Sequence, residues 1–337
     1  MKVMVFDVSA EIGGALSILN SFYNEYKTDQ NDEHIFIVSK PELKETENIK
    51  VLQFPWVKKS WLHRIYFDYF IAPKLVKKYK VDEVLSLQNI IVPNVKKKQK
   101  VFVHNALPFS EHRFSFFDSK LLWFYQNILG KRIFKSIKKA DSVMVQTNWM
   151  KEKCIEKLNI EPNKVEVVSL KLDIEVKRPF TRTKESLSTF FYPANGVAFK
   201  NHKVIIDACL KLKDQGIKDY KVIFTLKGNE NNYILDLYKK VRDYQLPIEF
   251  IGNLSRDDLF DYYSRSILIF PSYIETVGLP LIEAGMHGTP ILVSDSPYSH
   301  EILKGVENVS FFNAHDIRKL AALMKEHLAI KLPIGSN

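Results

Sequence analysis

The chain has 337 residues, 46% hydrophobic and 26% charged, the balance of an ordinary globular protein with no disordered or fibrous bias. That length implies two domains of about 100–200 residues each. Its two cysteines, Cys154 and Cys209, form no CxxC pair, which excludes a disulfide scaffold or thiolate metal cluster, and its net charge of +10 points to an anionic partner.

The opening MKVMVFDVSA holds an apolar run broken by Asp7, too short for a signal peptide. No window approaches the roughly 18–20 uncharged residues of a membrane span, so a cytosolic protein is expected. KVMVFDV (2–8) reads as a buried strand, followed by Gly13-Gly14 and then by Ala15, Leu19, Phe22 and Tyr26 at helical spacing. Further strands are predicted at 33–39, 81–87, 100–105, 141–147 and 163–169, with helices near 62–79, 119–139 and 148–158. Thr147 and Asn148 suit the cap of the last of these. Strand–helix alternation implies a parallel sheet covered by helices. The polar stretch 170–186, with Pro179, reads as an interdomain linker.

The alternation then restarts. Strands are predicted at 188–194, 221–228, 248–252, 266–272 and 290–295, and helices at 201–215, 231–244, 255–264, 279–287 and about 315–329. The fold class is therefore α/β: two tandem Rossmann-like doubly wound domains facing a cleft, with ligands at the carboxyl ends of the strands.

The most informative stretch is PSYIETVGLPLIEAGMHGTPILVSD (271–295), where Glu275 and Glu283 flank a Gly/Pro turn between a strand and a helix. Pro280 suits a first helical position. Unpaired N–H groups near Val277, Gly278 and Leu279 would then form an anion site, because a helix start carries free donors and roughly half a positive charge. Glu283, one turn into the helix, suits the vicinal hydroxyls of a ribose. Glu275, before the helix, suits the hydroxyls of a sugar carried on the diphosphate.

The segment ETVGLPLIEAGMHGTPILVSD resembles the signature of the retaining, family-four type of glycosyltransferase with two Rossmann domains (GT-B, glycosyl transferases group 1). It matches at Glu275, Gly278, Leu279, Pro280, Glu283, Ala284, Gly288 and Pro290. YPANGVAFKNHKVIIDA (192–208) resembles the strand–loop–helix that opens the family's second domain, with Lys200 at its phosphate-binding lysine. FIGNLSRDDLFDYYSRSILIFPS (250–272) resembles the segment in which backbone around Gly252, Asn253 and Leu254 packs on the nucleotide base. Gly13-Gly14 matches the glycine loop over the donor diphosphate and acceptor, and His104, in VFVHNALPF, matches a histidine near the donor sugar. One departure stands out: Asn195 occupies the place of an arginine five residues before the lysine, and Arg256 or Lys227 would have to replace that cation.

The resemblance implies an acceptor-side domain over 1–170 and a nucleotide-sugar domain over 187–314. A helix and tail at 315–337 would return toward the first domain. It implies transfer from a UDP-, GDP- or ADP-sugar donor to a glycan or polyprenyl-linked glycan of a bacterial surface polysaccharide (O-antigen, capsule or exopolysaccharide). Attack is expected on the leaving-group face, with Lys200 and the helix start stabilising the departing diphosphate. No cofactor or metal is expected, as the sequence has no Asp-x-Asp between apolar strands and no His/Cys cluster with ligand spacing. A catalytically silent sugar-nucleotide-binding scaffold, which Asn195 would suit, and a sugar-nucleotide 2-epimerase share the architecture.

The charge is uneven: residues 1–170 carry 27 Lys+Arg and 19 Asp+Glu, whereas 171–337 carry 22 and 20. The segments 56–80 and 113–141 interleave aromatics with seven cations each, against one and two acids. Such composition fits an anionic membrane surface rather than nucleic acid, which would put the protein peripherally on the inner face of the cell membrane.

Overall fold

The structure is a computed structural model that describes residues 1–11, 13–29, 31–117, 119–169 and 174–330. The chain divides into two compact units, Met1–Asp173 and Ile174–Asn337. The first is built on a seven-stranded sheet: β1 (Lys2–Asp7), β2 (Glu33–Val38), β3 (Ile49–Gln53), β4 (Glu83–Ser86), β5 (Lys98–Phe102), β6 (Ser142–Val145) and β7 (Val165–Val167). The strands are parallel in the order β3-β2-β1-β4-β5-β6-β7. The second unit has six: β8 (Thr189–Tyr192), β9 (Lys221–Phe224), β10 (Ile248–Phe250), β11 (Ile267–Phe270), β12 (Ile291–Ser294) and β13 (Val309–Phe312). Their order, β10-β9-β8-β11-β12-β13, repeats the doubly wound pattern.

The apolar strand runs follow from burial on both faces. In β1, Val3 and Val5 pack under the helix Gly13–Thr28 with Ile18, Leu19 and Phe22, while Met4 and Phe6 turn to Phe67, Ala72 and Val76. The edge strands β3 and β13 were not anticipated. They pair on one side and stay partly exposed, so Lys50 and Gln53 interrupt the apolar pattern of β3.

The predicted helix 62–79 forms as three consecutive segments, with a π turn at Phe67–Ile71 between Trp61–Tyr66 and Ala72–Lys78. The predicted 119–139 does the same, its π turn at Tyr125–Leu129 lying between Lys120–Phe124 and Gly130–Lys139. The expected linker 170–186 falls partly outside the described residues, and from Ile174 onward it belongs to the second unit. There the Phe180 N–H donates to the His287 carbonyl at 2.7 Å and the Thr181 N–H to the Ser264 carbonyl at 2.9 Å. The last helix, Ile317–Leu328, packs on the helix His202–Asp214 of its own unit. Among the described residues no helix is long and apolar enough to cross a membrane.

Candidate functional site

In each sheet the winding direction reverses once, between β1 and β4 and between β8 and β11. Loops leaving neighbouring strands diverge there and open a crevice at the strand ends. Lys200 lies in the loop after β8 and Glu275 in the loop after β11, so the two residues chosen from separate motifs meet at the reversal of the second sheet. The Lys200 ammonium pairs with Glu275 Oε1. Both side chains are largely buried, at 17% and 13% exposure, which strengthens the attraction relative to a surface pair. The ammonium also lies 5.8 Å from the Phe270 ring centre and 5.9 Å from that of Phe199.

The loops carrying this pair are held by buried hydroxyls and an amide. Tyr192 donates to the Lys200 carbonyl at 2.6 Å, and Tyr298 to the Ser272 carbonyl at 2.6 Å. Asn201, with φ +61°, donates through Nδ2 to the Ala314 carbonyl at 2.7 Å. The Tyr273 N–H donates to the Phe199 carbonyl at 3.3 Å. His202 behind them is buried, and desolvation pushes its pKa down to about 3, so it is neutral.

The helix Leu279–His287 begins at Gly278, whose φ of +75° is left-handed, and no side chain caps it. Its first turn contains no acid and Pro280 supplies no N–H. Such a start, uncapped by any side chain, carries the partial positive charge of a helix N-terminus. Val277 and Gly278 are buried and Leu279 is half-buried.

Glu283 stands inside this helix at 8% exposure, less open than expected of a ribose ligand. Its Oε2 accepts from the fully buried Tyr263 hydroxyl at 2.9 Å. Burial raises its pKa, opposed by the Tyr263 hydrogen bond and by the charges of Arg256 and His287. His287 packs on Phe260 and Tyr263, and its Nδ1 bonds the Glu283 carbonyl at 2.7 Å. Tyr263 is a partner the sequence did not suggest.

Gly252, φ +77°, turns the chain after β10, and its N–H donates to the Leu226 carbonyl at 2.9 Å. Asn253 is exposed and Leu254 half-buried. β9 and β8 separate β10 from β11, so these three residues lie farther along the row of strand ends than Glu275. Asn195 is exposed after β8, and Lys227 is exposed after β9. Arg256 lies over the Phe260 ring at 5.0 Å, on the Glu283 side.

In the first unit Gly13 opens the helix Gly13–Thr28 with φ +62°, and both it and Gly14 are exposed. His104 follows β5. Burial pushes its pKa down to about 4, against a hydrogen bond from its ring to the Leu87 carbonyl, so it is neutral near pH 7. Its backbone N–H donates to Asn89 Oδ1 at 2.8 Å, which gives Asn89 a structural task. Sequence reasoning missed Asp7, at the end of β1 and 1% exposed. Its Oδ1 accepts from the Ser9 hydroxyl at 3.1 Å and the Ala10 N–H at 3.2 Å, while Oδ2 is buried with no partner among the described residues. Desolvation pushes its pKa up to about 7.

Comparison with known proteins bears on the family and the fold. Residues 173–332 match the model of the family described as glycosyl transferases group 1. The O-antigen chain mannosyltransferase RfbU of Salmonella typhimurium is 25% identical over 240 residues, covering 70% of this chain and 63% of RfbU, so the chain spans less than two thirds of that relative. Among solved structures, sucrose-phosphate synthase from Thermosynechococcus elongatus superposes with a TM-score of 0.73 at 14% identity, over 97% of this chain and 90% of that one. Anabaena HepE in complex with UDP-glucose gives 0.69 at 14% identity, over 98% and 90%. At such identities the likeness establishes the fold, that of the two-Rossmann-domain (GT-B) proteins.

Proposed function

We propose that this chain, whose residues 173–332 match the glycosyl transferases group 1 family, is a retaining glycosyltransferase. It moves a sugar from a UDP-, GDP- or ADP-sugar to a glycan or polyprenyl-linked glycan in bacterial surface polysaccharide synthesis, on the cytoplasmic side of the membrane. The observation that carries the reading is the Lys200–Glu275 pair at the strand-order reversal, next to the uncapped helix start at Gly278. The resemblance of RfbU and the UDP-glucose held by HepE support it.

In this reading the donor diphosphate lies at the N–H groups of 277–279, and the Lys200 ammonium turns from Glu275 toward the phosphate. Freed Glu275 accepts from hydroxyls of the transferred sugar, and Glu283 accepts from the ribose. Main chain at Gly252, Asn253 and Leu254 meets the base. Gly13, Gly14 and His104 serve the acceptor and the donor sugar from the first unit. The glycosidic C–O bond to the diphosphate breaks with both electrons on oxygen. The acceptor oxygen then bonds to the anomeric carbon from the same face, and its proton passes to the leaving phosphate. Lys200 and the helix start stabilise the charge that develops on the phosphate, a task worth several kcal/mol when donors are preorganised, of order 10²–10³ in rate for one donor.

Asn195, at the place where the family resemblance puts an arginine, favours a second reading: a donor-binding subunit without catalysis. Incubation with UDP-, GDP- and ADP-sugars, with released nucleotide and product anomer followed by NMR, decides. Turnover with retained configuration supports transfer. Binding without turnover selects the second reading, and absence of binding at millimolar donor removes both.

A further inference from the structure

The main chain around Lys200 is held on both sides. The Lys200 N–H donates to the Val197 carbonyl at 2.9 Å, and the Lys200 carbonyl accepts from Tyr192. Two residues on, the His202 ring is buried 4.8 Å from the Tyr192 ring and 5.0 Å from that of Phe224. Between them stands Asn201, buried and left-handed at φ +61° and ψ +37°. Glycine takes that conformation without steric cost, so the backbone alone does not call for an amide here.

The Asn201 side chain has an unusual task. The residue flanks the start of the helix His202–Asp214, where an asparagine ordinarily accepts with its side-chain oxygen from a first-turn N–H. No such cap forms. The amide turns away instead: Nδ2 donates to the Ala314 carbonyl at 2.7 Å and to the Pro271 carbonyl at 3.4 Å. Both partners can only accept, so the nitrogen of the amide must face them. Pro271 opens the loop after β11 that carries Glu275, and Ala314 lies in the loop after β13. The same two loops meet again where the Tyr273 ring packs on His315 at 5.4 Å. One buried amide thus ties the main chain next to Lys200 to the loop of Glu275 and to a third loop that carries no donor-binding residue.

A lysine ammonium sits on a flexible four-carbon stem, so the point it reaches depends on where its main chain is held. We infer that Asn201 is a positioning residue for Lys200. It fixes the Lys200 main chain against the loop of Glu275, so that the ammonium travels between that carboxylate and the donor phosphate by side-chain rotation alone. The inference rests on the proposed transfer reaction. It adds that the loop after β13 takes part in that reaction through Asn201. A misplacement of about 1 Å in a positioned group costs up to ~10²-fold in rate.

Asn201→Gly tests this, because glycine keeps the left-handed backbone and removes both donations. The donor is the one that wild type turns over from a panel of UDP-, GDP- and ADP-sugars, with released nucleotide as the signal and nucleotide affinity measured by titration. The variant should lose about tenfold or more in kcat, with KM and nucleotide affinity within about twofold of wild type. In a Lys200→Ala background the same substitution should lower kcat no further than about twofold, since residues that act through one another are not additive. Unchanged kcat in Asn201→Gly overturns the inference and leaves the proposed function standing. An equal fall in both backgrounds overturns it too, as does nucleotide binding lost together with turnover, for then Asn201 supports the site as a whole rather than Lys200. Wild type inert toward the whole panel removes the proposed function and this inference with it.

Discussion

Replacing Gly278 by Ala tests the helix start most selectively. A Cβ there would lie 3.2 Å from Phe270 Cε1 and 3.3 Å from Leu281 Cδ1, both on fully buried side chains. The left-handed φ of +75° costs a residue with a Cβ about 1–2 kcal/mol. Overpacking a filled core adds about 1–3 kcal/mol, and the stiffer unfolded chain returns about 0.4–1 kcal/mol. The net loss is about 1–4.5 kcal/mol, centred near 3, and each kcal/mol lowers Tm by about 2–4 °C for a domain of 150–250 residues. Gly288→Ala is the control. Gly288 closes the same helix at φ +71° with nothing within 4 Å of its Cβ, so it keeps only the conformational cost of about 1–2 kcal/mol, less the same unfolded-chain return of about 0.4–1 kcal/mol. Calorimetry on both variants, with a nucleotide titration alongside, should show the larger Tm loss in Gly278→Ala. Weakened nucleotide binding should appear only there, because only that change disturbs the donors at 277–279. Equal Tm losses would refute the packing argument, and unchanged nucleotide binding in Gly278→Ala would refute the anion-site argument.

Further outcomes follow from the titratable groups. Asp7, moved by burial from 3.8 to about 7, binds a proton in the fold that the unfolded chain has released. Stability therefore declines as pH rises from about 4 to 7, by up to ~4 kcal/mol. Asp7→Asn should flatten urea midpoints measured from pH 5 to 8, and a wild-type midpoint that rises over that range would contradict the reasoning. Tyr263→Phe removes the hydrogen bond that favours the ionised form of Glu283. The acid limb of nucleotide binding should move upward in pH, because the ionised carboxylate loses the hydrogen bond that favours it. An unmoved limb would mean that Glu283 does not contact the nucleotide. Glu275→Gln should keep nucleotide affinity, or raise it by freeing Lys200, while slowing transfer. Affinity lost in step with transfer would contradict the exchange of Lys200 from carboxylate to phosphate.

The inner strands are legible because parallel strands buried on both faces read as unbroken apolar runs, as in KVMVFD and ILIF. The helix Leu279–His287 has the bounds that Gly278, Pro280 and Gly288 punctuate. Edge position alone does not decide legibility, since β7 and β10 also lie at sheet edges and are read from the sequence; in β3, Lys50 and Gln53 break the apolar run. The site is legible as motifs but not as contacts. Lys200 and Glu275 are 75 positions apart, and their pairing depends on β8 and β11 being neighbours. Tyr192, Tyr263 and Tyr298 read as core aromatics, since nothing local shows that their hydroxyls hold the Lys200 carbonyl, the Glu283 carboxylate and the Ser272 carbonyl.

The central claim is that the loops after β8 and β11, with the helix start at Gly278, hold a nucleotide-activated sugar. Isothermal titration of wild type, Glu283→Ala and Lys200→Ala with UDP-, GDP- and ADP-sugars tests it most directly. The account predicts binding of one donor type by wild type, affinity about tenfold or more weaker in Glu283→Ala from the loss of a hydrogen bond to a charged group, and retained binding with slowed turnover in Lys200→Ala. Wild type silent toward every donor at millimolar concentration, or both variants indistinguishable from it, would contradict the account.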